Sequence, residues 1–213
     1  MSARYPGYNV LAKRHTPSWN EKTRQVIDER LALPREPRWL SQAEWLVLEA
    51  ICDRIVPQPR TRPPVPLAAM VDTKLFENRG DGYRDYRLPP LRQAWQRGLQ
   101  AIDAEARRQH SVGFAALDAA ERDALLRAAQ QGTLGGRAWN GMPAAIFFAK
   151  RLLPDIVTLY YAHPTAWNEI GFGGPASPRG YVRMDFDRRD PWEAAEAKPG
   201  REHEAARENA HAG

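Results

Sequence analysis

The stretch Ser41-Gln-Ala-Glu-Trp-Leu-Val-Leu-Glu-Ala-Ile-Cys-Asp-Arg-Ile-Val-Pro57 decides the fold class. Ser41 can accept a hydrogen bond from a free backbone N–H one turn on, and Glu44 can reach back to the Ser41 N–H. That reciprocal capping box opens a helix. Trp45, Leu48, Ile51, Cys52 and Ile55 then recur at spacings of three and four, so they line one helix face that needs a core to bury it. Pro57 has no N–H for a further turn, and the helix stops there.

The same period recurs in both directions along the chain. Upstream, residues 1–17 read as an extended arm, and Ser18 can cap a helix to about Leu31 with Trp19, Val26, Ile27 and Leu31 on its apolar side. Downstream, residues 57–66 hold five prolines and form a stiff connection. A short helix follows from Pro66 to Asn78, then a polar loop over 79–90. Leu91, Trp95, Leu99, Ile102 and Ala106 mark a long amphipathic helix. Asp118 and Glu121 make a second capping box. Pro143 suits a first helical position, and the apolar run from there to Ala162 is predicted to kink or break at Pro154. A short helical piece covers 164–170. No segment alternates with period two. The expectation is an all-α, compact helical bundle of about six to seven helices, with an extended N-terminal arm and an irregular Gly/Pro-rich C-terminal segment. The expected division is an arm at 1–17, one helical domain at 18–186, and a charged, largely disordered tail at 187–213.

Composition limits the chemistry. A chain of 213 residues can bury a core without a metal or disulfide, and the single Cys52 excludes an internal disulfide. Cys52 lies on the apolar stripe beside Ile51 and Ile55, which predicts a buried, inert thiol. The net charge of +5 raises a nucleic-acid reading. The arginines are scattered through every segment with acids interleaved, which argues against it. No apolar run is long enough to span a bilayer. No secretory signal or twin-arginine pair is visible near residue 1, so the chain reads as cytoplasmic, with a periplasmic, membrane-associated location through an exported partner as the alternative.

The search for catalytic motifs mostly returns structural readings. Gly171-Phe-Gly-Gly-Pro-Ala176 matches the dinucleotide-binding glycine pattern, but that pattern needs a preceding strand and a following helix. Here a helix precedes, and Pro175 and Pro178 oppose a helix starting in place. His163 follows Tyr160 and Tyr161 at a helix end, where an imidazolium would suit the dipole. Asp155, Tyr160, Tyr161 and His163 remain the candidate pocket for a free-standing enzyme. No metal-ligand spacing or catalytic triad order stands out. No catalytic, metal or cofactor residue is assigned, and a binding subunit is the better reading.

What remains is aromatic surface at the two ends: Tyr5, Tyr8, Trp19, Trp167, Phe172, Tyr181, Phe186 and Trp192. Aromatic residues and Arg are enriched at the centres of protein–protein contacts. The predicted partner-binding set is Tyr5, Tyr8, Trp167, Gly171, Phe172, Gly173, Gly174, Pro175, Arg179, Gly180 and Tyr181. Trp167, Phe172 and Tyr181 are its main anchors. The competing reading folds both ends back over the chain's own helices.

Taken in order, Leu40 to Pro57, Gly113 to Leu126, Phe147-Phe148, Tyr160-Tyr161 and Trp167 to Tyr181 resemble subunit 3, the small or gamma subunit, of gluconate 2-dehydrogenase-type enzymes. The resemblance covers residues 40–182. It implies a non-catalytic helical partner of a large flavin-dependent subunit of the glucose–methanol–choline type, which oxidises sugars, sugar acids or polyols. FAD is expected in that partner and no cofactor in this chain, with a cytochrome c subunit as an optional third member. The small subunit would assist folding and export of the pair. Family members often carry a twin-arginine signal, and this sequence departs from that.

Overall fold

In the computed structural model, which describes residues 3–180 and 189–212, the chain is all-helical. The helices are α1 (Glu21–Leu31), α2 (Gln42–Ile55), α3 (Leu67–Phe76), α4 (Leu91–His110), α5 (Ala119–Gln131), α6 (Ala144–Phe147), α7 (Leu153–Ala162), α8 (Pro164–Ile170) and α9 (Glu202–Asn209). Among the described residues there is no strand, only an isolated bridge between Trp19 and Ser177. The chain forms two compact units. One is continuous, Pro34–Tyr160; the other joins Met1–Leu33 to Tyr161–Gly213.

The continuous unit is built on α2. Both capping boxes form: the Ser41 hydroxyl accepts from the Glu44 N–H at 3.3 Å, and the Asp118 carboxylate accepts from the Glu121 N–H at 2.8 Å. Trp45, Leu48, Ile51 and Cys52 of α2 are buried, as are Trp95, Leu99, Ile102 and Ala106 of α4. Each large side chain removed from water contributes about 1.5–3 kcal/mol. Cys52 behaves as read: burial, aided by Asp53 and Glu49, pushes its thiol pKa well above the ordinary value. Phe147 stacks edge-on against Trp95 at 5.7 Å and Trp139 at 6.2 Å. The close approach depends on Gly98, where a Cβ would lie 2.2 Å from the Phe147 ring.

The helix predicted from 143 to 162 does not break at Pro154. A π-turn at Phe148–Leu152 separates α6 from α7. Proline has no N–H to donate, and its ring crowds the carbonyl four residues back. A wider turn immediately before it relieves both problems without ending the helix.

Buried carboxylates tie this unit's loops to its helices. Asp72 is 0% exposed and accepts from the backbone N–H groups of Arg38 at 2.7 Å, Trp39 at 3.1 Å and Leu40 at 2.8 Å. Asp155 accepts from the Trp95 indole N–H at 2.8 Å and from the Lys74 ammonium at 2.9 Å. Neither role is visible as a motif.

The second unit corrects the reading of both chain ends. Tyr8, Val10, Trp19, Ile27, Trp167 and Ala212 form one buried cluster, so residues 1–17 are no free arm. They contain a 3-10 turn at Val10–His15, whose N–H at Val10 donates to the Asn168 side chain at 2.8 Å. The first helix is capped by Asn20, two residues past the expected Ser18, because Asn20 offers its side-chain oxygen to the Thr23 N–H at 2.9 Å. The tail beyond Gly200, expected to be disordered, folds as α9. It is held by Asn209, which donates to the carbonyls of Pro6 at 2.9 Å and Ala195 at 3.0 Å and accepts from the Ala195 N–H at 2.6 Å.

Candidate functional site

The glycine-dense segment 171–180 lies against the cluster just described. Gly171 ends α8 with φ +66°, a left-handed conformation that favours glycine. The missing side chain is also a packing requirement there: a Cβ would sit 2.6 Å from the Tyr5 ring. At Gly174, φ +70°, a Cβ would press to 3.2 Å on both Trp167 and Val10. The loop therefore runs with its backbone against aromatic rings. Phe172 stacks edge-on over Trp167 at 5.5 Å and remains 40% exposed. Further along, Asn20 donates its N–H to the Ser177 carbonyl at 2.6 Å, and Arg179 donates to the Ser18 hydroxyl at 3.2 Å.

Beside this loop is a cleft of about 400 Å³ whose lining includes Tyr5, Lys13, Phe172, Arg179, Arg189 and Trp192. Lys13 is wholly buried; its ammonium donates to the Trp192 carbonyl and lies 5.9 Å from the Tyr8 ring centre. Burial, with a contribution from the Arg179 charge and against the attraction of Glu193, lowers its pKa to about 8. Burial also pushes the Tyr8 phenol up to about 12, with Arg179 opposing. The Arg179 guanidinium stacks over Trp192 at 4.3 Å. Asp190 and Glu193 also line the cleft, so its charge is mixed, and two stacked aromatics with a rim of bare glycine backbone can receive an aromatic side chain.

The structure brings much of the predicted set together and divides it by burial. Tyr5, Gly171, Phe172, Gly173, Gly174 and Arg179 line the cleft. Pro175 and Gly180 are partly exposed on the same loop. Trp167 and Tyr8, at 3% and 5% exposure, belong to the core. Their rings are already used internally: the Trp167 indole donates to the Tyr161 carbonyl at 2.6 Å, and Phe172 covers its face. They build the platform on which Phe172 stands and offer a partner little surface. Tyr181 and Phe186 lie outside the described residues. The loop also differs from a dinucleotide cradle, since α8 precedes it and residues 172–180 contain no helix.

Three residues of the alternative pocket, Asp155, Tyr160 and His163, hold hydrogen bonds inside the fold, while Tyr161 is 46% exposed. The Asp155 carboxylate holds Trp95 and Lys74, and the Tyr160 hydroxyl accepts from Arg62 at 2.9 Å. His163 caps the N-terminus of α8, its Nδ1 accepting from the Thr165 N–H at 3.2 Å. His163 thus stands at the helix end expected for it, directly after α7, and also caps α8. Among the described residues, no group of three His, Cys, Asp or Glu side chains is arranged to hold a metal. No described helix is long and apolar enough to cross a membrane.

Lys13 was missed as a member of the site, being a lone residue in an irregular stretch, and Trp192 stands among the terminal aromatics but outside the predicted set. The reading that placed aromatic surface at the chain ends also overlooked Tyr83 and Tyr86, exposed by 83% and 87%.

Among known proteins, the sequence model of one family, described as gluconate 2-dehydrogenase subunit 3, matches residues 42–174. No curated protein and no solved structure matches the chain.

Proposed function

Because the chain belongs to the gluconate 2-dehydrogenase subunit 3 family, we propose that it acts as the non-catalytic subunit that binds a large FAD-dependent dehydrogenase of the glucose–methanol–choline type and assists its folding. The partner would oxidise a sugar, sugar acid or polyol, with a cytochrome c subunit accepting electrons where one is present. The family match, over more than half of the chain, carries this reading.

Local chemistry supports it. The 171–180 loop presents Phe172 on a preformed aromatic base beside Lys13, Arg179 and Arg189. Glycine backbone at the rim lets a second chain approach closely. An aromatic anchor already held in place loses little conformational freedom on binding. The ionisable groups that could have suggested catalysis, Asp155 and His163, are taken up by hydrogen bonds inside the fold.

The test is co-expression of a large FAD-dependent dehydrogenase subunit of the glucose–methanol–choline type, with and without this chain. With the chain present, the flavoprotein is expected to be soluble, FAD-loaded and recovered on an affinity tag placed on the small subunit. Phe172→Ala combined with Arg179→Glu is expected to weaken recovery by roughly tenfold, the effect typical of a contact anchor. A flavoprotein that is equally soluble, loaded and active without the small chain would overturn the proposal.

A further inference from the structure

We propose that the loop at 79–90 is a second contact with the dehydrogenase subunit, made by the continuous unit, and that it receives an acidic face of that subunit. This rests on the accessory-subunit reading above and adds a second surface to it.

Tyr83 and Tyr86 are the most exposed large hydrophobic side chains among the described residues. They do not stand on a loose turn. At the start of the loop, Asp81 accepts from the Lys74 ammonium at 2.9 Å and from the Arg151 guanidinium at 2.6 Å. Lys74 continues inward to the buried Asp155, and Arg151 is itself buried on the π-turn. At the other end Leu88 is 1% exposed, and Arg84 donates to its carbonyl. Between the two tyrosines, Asp85 accepts from the Arg87 side chain at 2.9 and 2.8 Å and from its N–H at 3.0 Å.

Taking ionised groups out of water is costly, and an apolar residue of similar size would hold a helix more cheaply than Arg151 does. What the network does secure is the loop. Tyrosines offered on an ordered loop give a partner a large contact area with little entropy left to lose.

Charge selects the partner. Both carboxylates of the loop are engaged by cations in ion pairs, whereas among the described residues Arg84 forms no ion pair and the exposed Lys150 acts on Asp85 only from a distance. Lys150 is close enough to Asp85 to contribute, after Arg87, to holding its pKa down at about 2. The surplus around the tyrosines is therefore positive, which complements carboxylates on the facing surface. A second copy of this chain would set the same cations against each other across a two-fold contact.

The experiment measures affinity between the full chain and the co-expressed dehydrogenase subunit across a salt series. Tyr83→Ala with Tyr86→Ala is expected to raise the dissociation constant about tenfold or more while leaving the chain's own melting temperature unchanged, because both rings are exposed. Tyr83→Phe with Tyr86→Phe keeps the ring area and is expected to bind within about threefold of the parent. Arg84→Glu is expected to weaken binding and flatten its salt dependence. If Phe172→Ala weakens the complex and the alanine pair does not, the accessory reading stands and this inference falls. A dimer of the isolated chain that the alanine pair dissolves would also overturn it. If the parent shows no association with the dehydrogenase, both readings fall together.

Discussion

Lys13 is the side chain on which the candidate cleft turns, and its environment can be tested by titration. Burial lowers its pKa from 10.5 to about 8. Between those two values the unfolded chain binds more protons than the folded one, so stability contributed at this position rises with pH across that window. Below it both states hold the proton and the dependence disappears. The urea midpoint of the parent relative to a Lys13→Met variant is therefore expected to be flat up to pH 8 and to climb towards pH 10.5. Taking the difference cancels titrating groups distant from this site, Cys52 included. A difference that stays level throughout would mean that the ammonium is solvated. Nothing in the sequence marks Lys13, Asp72 or Asp155 for these roles. Periodicity locates apolar faces, but a single buried charge is fixed by partners far along the chain, such as the backbone at 38–40 for Asp72.

At the scale of elements, sequence reading succeeded where a local rule determines the outcome. The capping boxes at Ser41 and Asp118, the α2 and α4 stripes and the short helix at Pro164–Ile170 all depend on residues within one or two turns. It failed where distant partners decide. The N-terminal residues and α9 are short of large apolar groups in regular spacing, so they read as arm and tail. Their order comes instead from contacts between distant residues, such as Tyr8, Val10 and Ala212 in one buried cluster and the Asn209 side chain donating to the Pro6 carbonyl at 2.9 Å. Asn209 is the sharpest test of that difference. Its side chain is buried and makes hydrogen bonds to Pro6 and Ala195, so Asn209→Ala orphans buried backbone groups. A loss of about 1–3 kcal/mol is expected in chemical denaturation. A disordered tail would give no change.

For the whole molecule, the two units differ in how the chain supplies their cores. Everything that fills Pro34–Tyr160 is contiguous: the α2 and α4 stripes, Trp139 and Phe147. The other unit draws Tyr8, Val10, Trp19 and Ile27 from one end and Trp167 and Ala212 from the other. Contiguous contacts close short loops, whereas joining the two ends carries the closure entropy of the whole intervening chain. The family match follows the same division, since it covers most of the continuous unit and stops at Gly174, leaving most of the two-ended unit outside it. A polypeptide of residues 34–160 alone is accordingly expected to melt cooperatively and to keep the near-ultraviolet circular dichroism of its packed Trp95 and Trp139. Residues 1–33 and 161–213 made separately are expected to show neither property. During synthesis the continuous core can form first, while the cluster under Phe172 must wait for both ends. The Phe172 face proposed to meet the dehydrogenase would then form later than the 79–90 loop, which belongs to the continuous unit. If the 34–160 polypeptide is unfolded by both measures, the core is not self-sufficient and this order of assembly is wrong.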